Sequence, residues 1–201
     1  MKSTKALSVL FLLLTVALSL PAVAGVLNMQ FNGTPTGNNY FGVPSYPYNL
    51  SVNGGPNQWM MCKGYNEHIS GGETWQATPA SVGSLNLGTH LVDYEAAFLF
   101  KTAVTDHGAN SDVNAAVWWL FGGAPSLSPG VQSLVTLAQS QTYTQGEFAD
   151  VMLYSAIPGT ESGNLGTAQD FMSSTPEPGT LALVGSGVIG MASLLRRKLL
   201  A

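Results

Sequence analysis

Two uncharged apolar runs, one at each end, constrain this chain more than any other feature, because they leave only residues 25–175 to build a folded body. At the amino end Lys2 and Lys5 bracket the start of "ALSVLFLLLTVALSL", and "PAVAG" follows with Ala22 and Ala24 at the places of a small-residue cleavage site. That pattern predicts a secretory signal peptide over residues 1–24, cut after Ala24; the run is short for a permanent anchor. At the carboxyl end the residues from Thr180 to Leu195 carry no charge and are followed by Arg196, Arg197 and Lys198. At ~1.5 Å per residue a helix of that length falls short of a ~30 Å hydrocarbon core, so a transmembrane helix there needs snorkelling by the three bases. Those bases mark the cytoplasmic side, which leaves the folded body outside.

The charge balance follows from the same division. Between residues 25 and 175 the only bases are Lys63 and Lys101, set against ten acids, for a formal charge of −8. No basic patch exists there to meet phosphates, which excludes nucleic acid as a partner. Cys62 is the single cysteine, so no internal disulfide forms and an exported chain keeps either a free thiol or another covalent partner for it.

Turn signals divide the first part of the body into short strands: "VLNMQF", "YFGV", "YNLSV" and "QWMMC", with Asn53-Gly54 as a tight turn, then "ETWQATPASV". Helical spacing takes over in "HLVDYEAAFLFKTAV", in "SDVNAAVWWLFGG" with Ser111 or Asp112 as cap and Gly122 as stop, and in "SPGVQSLVTLAQS" with Pro129 near its start. "EFADVMLYSAI" reads as a late strand. The expected fold is α+β, a β-rich frame with a small helical insertion over residues 25–158. A stalk over 159–175 and a tail over 176–201 complete the expected order.

The tail "PEPGTLALVGSGVIGMASLLRRK" resembles the PEP-CTERM sorting signal of Gram-negative bacteria: a Pro-Glu-Pro motif, an apolar helix and a basic end. The resemblance implies that Pro176, Glu177 and Pro178 are recognised by a membrane-embedded exosortase that processes the protein near the motif. It further implies an inner-membrane stage, then the cell surface or extracellular matrix, in a setting of exopolysaccharide production. Gly185, Gly187 and Gly190 inside this run spell G-x-G-x-x-G, but no strand precedes them and no βαβ unit can follow.

A second resemblance spans Trp59 to Phe121. "MMCKGYNEHISGGETWQATPASV", then "YEAAFLF" and "SDVNAAVWWLF", is similar to the thioester-type domains of bacterial surface proteins. In that family a cysteine attacks a glutamine side-chain amide, ammonia leaves, and an external amine opens the resulting acyl bond. Cys62 falls on the family's cysteine and Asn114 on its glutamine. Asparagine is one methylene shorter and reaches roughly 1.5 Å less far, where a displacement of about 1 Å costs about 100-fold. The resemblance therefore implies the fold, with the covalent bond impaired.

Other groupings are weaker. Glu67-His68, Asp106-His107 and His90 lack ligand spacing, and no metal or cofactor is expected. Trp118 is expected in the core beside Phe121 rather than stacked on a sugar ring. The leading expectation is a non-enzymatic exported protein with an adhesion or interaction domain that binds exopolysaccharide or another surface protein. A covalent adhesin with a thioester at Cys62 is one alternative. A secreted cysteine hydrolase, with His68, His90 or His107 as base, is the other.

Overall fold

The computed structural model describes residues 25–175 except 36, 106–110, 124–125 and 164–167. The expected signal peptide with Ala22 and Ala24, the Pro176–Pro178 motif, the apolar run and the Arg196–Lys198 bases lie outside the described residues. No helix among the described residues is long and apolar enough to cross a membrane.

Among the described residues there are eight strands and three α-helices: β1 (Leu27–Phe31), β2 (Asn39–Tyr40), β3 (Val43–Pro44), β4 (Tyr48–Val52), β5 (Gln58–Cys62), β6 (Thr74–Ser81), then α1 (Leu91–Thr105), α2 (Ser111–Leu120) and α3 (Pro129–Gln139), then β7 (Val151–Ala156) and β8 (Phe171–Ser174). Six strands close into an antiparallel barrel in the order β1-β4-β5-β8-β7-β6, with β1 pairing back onto β6, and β2-β3 forms a separate hairpin. Closure removes the exposed sheet edge that a six-stranded open sheet would present to other chains.

Period-two alternation sorts the side chains. Met29, Phe31, Tyr48, Leu50, Met60, Trp75 and Phe171 share the inner face and are buried, while Asn28, Gln30, Trp59 and Gln76 point outward and are exposed. Tyr48 and Trp75 both meet the Phe171 ring, at 5.6 and 5.9 Å between centroids, so aromatic side chains fill the lumen. On the outer face of β5, β8 and β7 the residues Met61, Met172, Val151 and Leu153 are buried as well. The helical layer covers them. Lys63, just past β5, pairs with Asp93 of α1 at 2.9 Å, and Lys101 of α1 pairs with Asp150 just before β7.

The helices start and stop where their residues dictate. Ser128 caps α3 by accepting from the Val131 amide at 3.2 Å, with Pro129 in the first turn. Gly122, at φ 80°, ends α2 while the Gly122 and Gly123 amides donate back to the Trp119 and Trp118 carbonyls. Asn53 and Gly54 both take positive φ, as a tight turn after β4 demands.

One expectation is corrected. The stretch expected as a stalk, 159–175, supplies β8, which lies between β5 and β7 and completes the barrel. Without it β5 and β7 would expose unpaired backbone groups and the lumen would lose Phe171. A chain ending at Pro158 is therefore expected to lack a cooperative thermal unfolding transition, whereas one ending at Thr175 retains it; circular dichroism melts of the two truncations decide.

Candidate functional site

Cys62 ends β5 with its side chain directed into the barrel, fully buried. Its β8 partner in the register is Phe171, and the Lys63 amide donates to the Asp170 carbonyl at 2.9 Å just beyond the strand ends. Gln169 stands two residues before Phe171, on the same face and diagonal to Cys62, within reach of a long side chain. The Cys62 Sγ lies 3.1 Å from Gln169 Oε1 and 2.8 Å from the Gly64 carbonyl oxygen. Gln169 is itself buried, and its Nε2 donates to the Glu67 carbonyl. A loop over residues 63–69 thus roofs the pair, holding the sulfur with one carbonyl and the carboxamide nitrogen with another.

Asn114 occupies a different place from the one expected of it. Its carboxamide is fully buried between α2 and the barrel, with Oδ1 accepting from the Tyr46 amide at 2.8 Å and Nδ2 donating to the Cys62 carbonyl at 2.8 Å. Both ends are committed to backbone, so Asn114 contacts the Cys62 main chain and not its sulfur. The expected Cys62–Asn114 pairing is corrected: the carboxamide facing the sulfur is that of Gln169.

Electrostatics keep the sulfur protonated. Burial pushes the Cys62 thiol up to about 12; the neighbouring Trp118 indole and Gly64 backbone oppose that shift, while Glu67 and Asp170 raise it further. Trp118 is 1 % exposed and its Nε1 makes no hydrogen bond among the described residues, so its donor is free to turn towards charge on the sulfur. Its ring packs against Tyr65 of the roof at 5.2 Å. Reactivity at Cys62 must then come from positioning rather than from thiolate population.

Two small clefts open beside the pair. One, of about 170 Å³, is lined by Lys63, Gly64, Tyr65, Glu67, Phe121 and Asp170. The other, of about 90 Å³, brings Gln169, Trp118, Glu67 and His68 together with Tyr48. The larger depression along α3, about 610 Å³, is lined by Pro129, Gln132, Ser133, Thr136, Leu137 and Ser140 and holds no titratable group. No described histidine bonds Cys62: His90 Nδ1 lies 2.9 Å from Asp93 Oδ2, and Asp106 and His107 lie outside the described residues. Among the described residues no group of three metal-ligating side chains converges.

The comparisons add one finding. Residues 174–198 match the PEP-CTERM protein-sorting motif. The match contains Pro176, Glu177, Pro178 and the Arg196–Lys198 bases, and it marks the chain as an exported protein sorted by an exosortase. Neither a curated protein nor a solved structure matches the chain, and the likeness of Trp59–Phe121 to thioester-type domains has no support there.

Two measurements probe this geometry. Asn114→Ala orphans the Tyr46 amide and the Cys62 carbonyl in a dry environment, at about 1–3 kcal/mol each, so urea unfolding should show a loss of about 2–6 kcal/mol. The free thiol holds its proton to about 12 in the folded state and to about 8.5 when unfolded, so its stabilisation is complete below pH ~8.5 and lost as pH rises towards 12. Between pH 9 and 11 the melting temperature of a free-thiol protein should fall more steeply than that of Cys62→Ala.

Proposed function

We propose that this chain is an exosortase-sorted surface protein whose barrel joins Cys62 to Gln169 in an internal thioester and so captures a partner covalently. The sorting part rests on the PEP-CTERM match, and the molecular part on one observation, the 3.1 Å hydrogen bond of the buried Cys62 sulfur to Gln169 Oε1, which sets thiol and carboxamide side by side in a closed interior. The carboxyl-terminal run serves as an inner-membrane helix before processing, and the barrel then stands at the cell surface or in the extracellular matrix. Exopolysaccharide and surface proteins are the partners within reach there.

The step balances without an oxidant. The Cys62 sulfur attacks Gln169 Cδ, the C–N bond breaks, and the nitrogen departs as ammonia carrying the thiol proton. Holding both groups at contact distance replaces the thiolate population that burial denies. The Trp118 N–H stabilises negative charge on the sulfur as the bond forms and again when it breaks. Each site reacts once, which makes this a capture device and not a turnover enzyme.

Intact mass of the purified domain is the test: the acyl bond lowers the mass by about 17 Da, and methylamine then adds about 31 Da. Cys62→Ala and Gln169→Ala should each abolish both changes, while an Asn114 variant that still folds should keep them. A wild-type mass equal to the sequence mass, unchanged by methylamine, would leave a non-covalent interaction domain as the reading.

A further inference from the structure

The roof of the Cys62–Gln169 pair carries an acid that the capture reaction has not yet used. Glu67 sits against Gly64, the residue whose carbonyl touches the Cys62 sulfur: a Cβ built on Gly64 would collide with Glu67 Oε2. Its main-chain carbonyl holds Gln169 Nε2, and its side chain lines both clefts beside the pair. Asp170 adds a second carboxylate to the larger cleft, directly after Gln169 in the chain. Trp118, buried and with its N–H unbonded, lines the smaller cleft together with Glu67.

The charges facing Glu67 are Asp170 from the lead into β8 and Lys63 from the end of β5; His68 follows it in the loop and lines the smaller cleft. Lys63 is already engaged by Asp93 of α1 at 2.9 Å and by the face of the Phe121 ring at 4.3 Å, and it stands 3.8 Å from Asp170. Its ammonium is therefore held by other groups, and the cleft retains an excess of negative charge. Burial and Asp170 raise the Glu67 carboxyl above the usual carboxylate range, and Lys63 opposes them, which makes Glu67 a better base than a surface glutamate.

We propose that Glu67 is the proton acceptor for the incoming nucleophile, and that with Asp170 it selects a cationic primary amine, such as a lysine side chain, over uncharged nucleophiles. This rests on the thioester reading above. The ammonium enters the acidic cleft and gives one proton to Glu67, and the amine lone pair then attacks Gln169 Cδ. The C–S bond breaks with its electron pair on the sulfur under the Trp118 N–H. Of the two protons the nitrogen loses, one passes to the Cys62 thiolate and the other leaves through Glu67 to water, so that Glu67 ends as it began, beside a secondary amide and a free thiol.

The experiment follows the time course of adduct mass in wild-type protein and in Glu67→Gln, with methylamine and with hydroxylamine, which is uncharged at neutral pH. Glu67→Gln should retain the loss of about 17 Da. It should slow methylamine capture on the order of 100-fold and hydroxylamine capture only several-fold. Equal slowing of both nucleophiles, or of neither, overturns the assignment while leaving the thioester standing. Loss of the acyl bond in a folded Glu67→Gln protein overturns it too, because Glu67 would then act in closing the bond. Absence of the bond from wild-type protein removes both readings together.

Discussion

A single buried carboxamide fixes how the two halves of this domain meet. Asn114 reaches from α2 to bond the backbone of Cys62 on one side and Tyr46 on the other, in a region closed to water. Each of those backbone groups would cost free energy if left unpaired in the dry interior, so the helix has one position relative to β5 at which all are satisfied. The end of β5 is where the Cys62 sulfur sits. That clamp and the pairing of β5 with β8 fix its place.

Charge reinforces the arrangement unevenly. The only two lysines of the body both connect α1 to the barrel, Lys63 to Asp93 and Lys101 to Asp150. The first pair is largely shielded, with side chains 16 % and 11 % exposed, whereas the second lies open to solvent and contributes little after screening. Lys63 also lies over Phe121 at the end of α2, so one cation touches both helices and the strand that carries Cys62. In a body this acidic, placing one of the two bases inside the fold leaves Lys101, itself paired with Asp150, as the lysine on the outer face.

Much of the architecture was legible in the sequence, because strong local signals coincide with the elements. Pro129 starts α3 and Gly122 ends α2, the helical spacing of "HLVDYEAAFLFKTAV" falls on α1, and Asn53-Gly54 turns the chain after β4. The sequence pairs Cys62 with Asn114 as acyl partners; in the structure Asn114 bonds the Cys62 main chain and Gln169 faces the sulfur. β8 and Gln169 escaped notice. The stretch leading to "AQDFMSS" is polar and rich in glycine and serine, and four strand residues with two serines carry too little alternation to stand out. What makes that segment a strand is a gap between β5 and β7 that only the folded barrel presents. Nothing in the local composition distinguishes Gln169 from a surface glutamine, since its role arises from a diagonal contact across strands 107 positions apart in the chain.

The position of β8 at the end of the body has a mechanical consequence. Gln169 lies five residues before Ser174, where the strand stops and the sorting motif begins. A cargo bonded at Gln169 would hang from the tail through that one short segment. Tension between cargo and anchor would then run along covalent bonds of a few residues, bypassing the helices and the other five strands of the barrel. The fold could be tugged from outside without being unravelled.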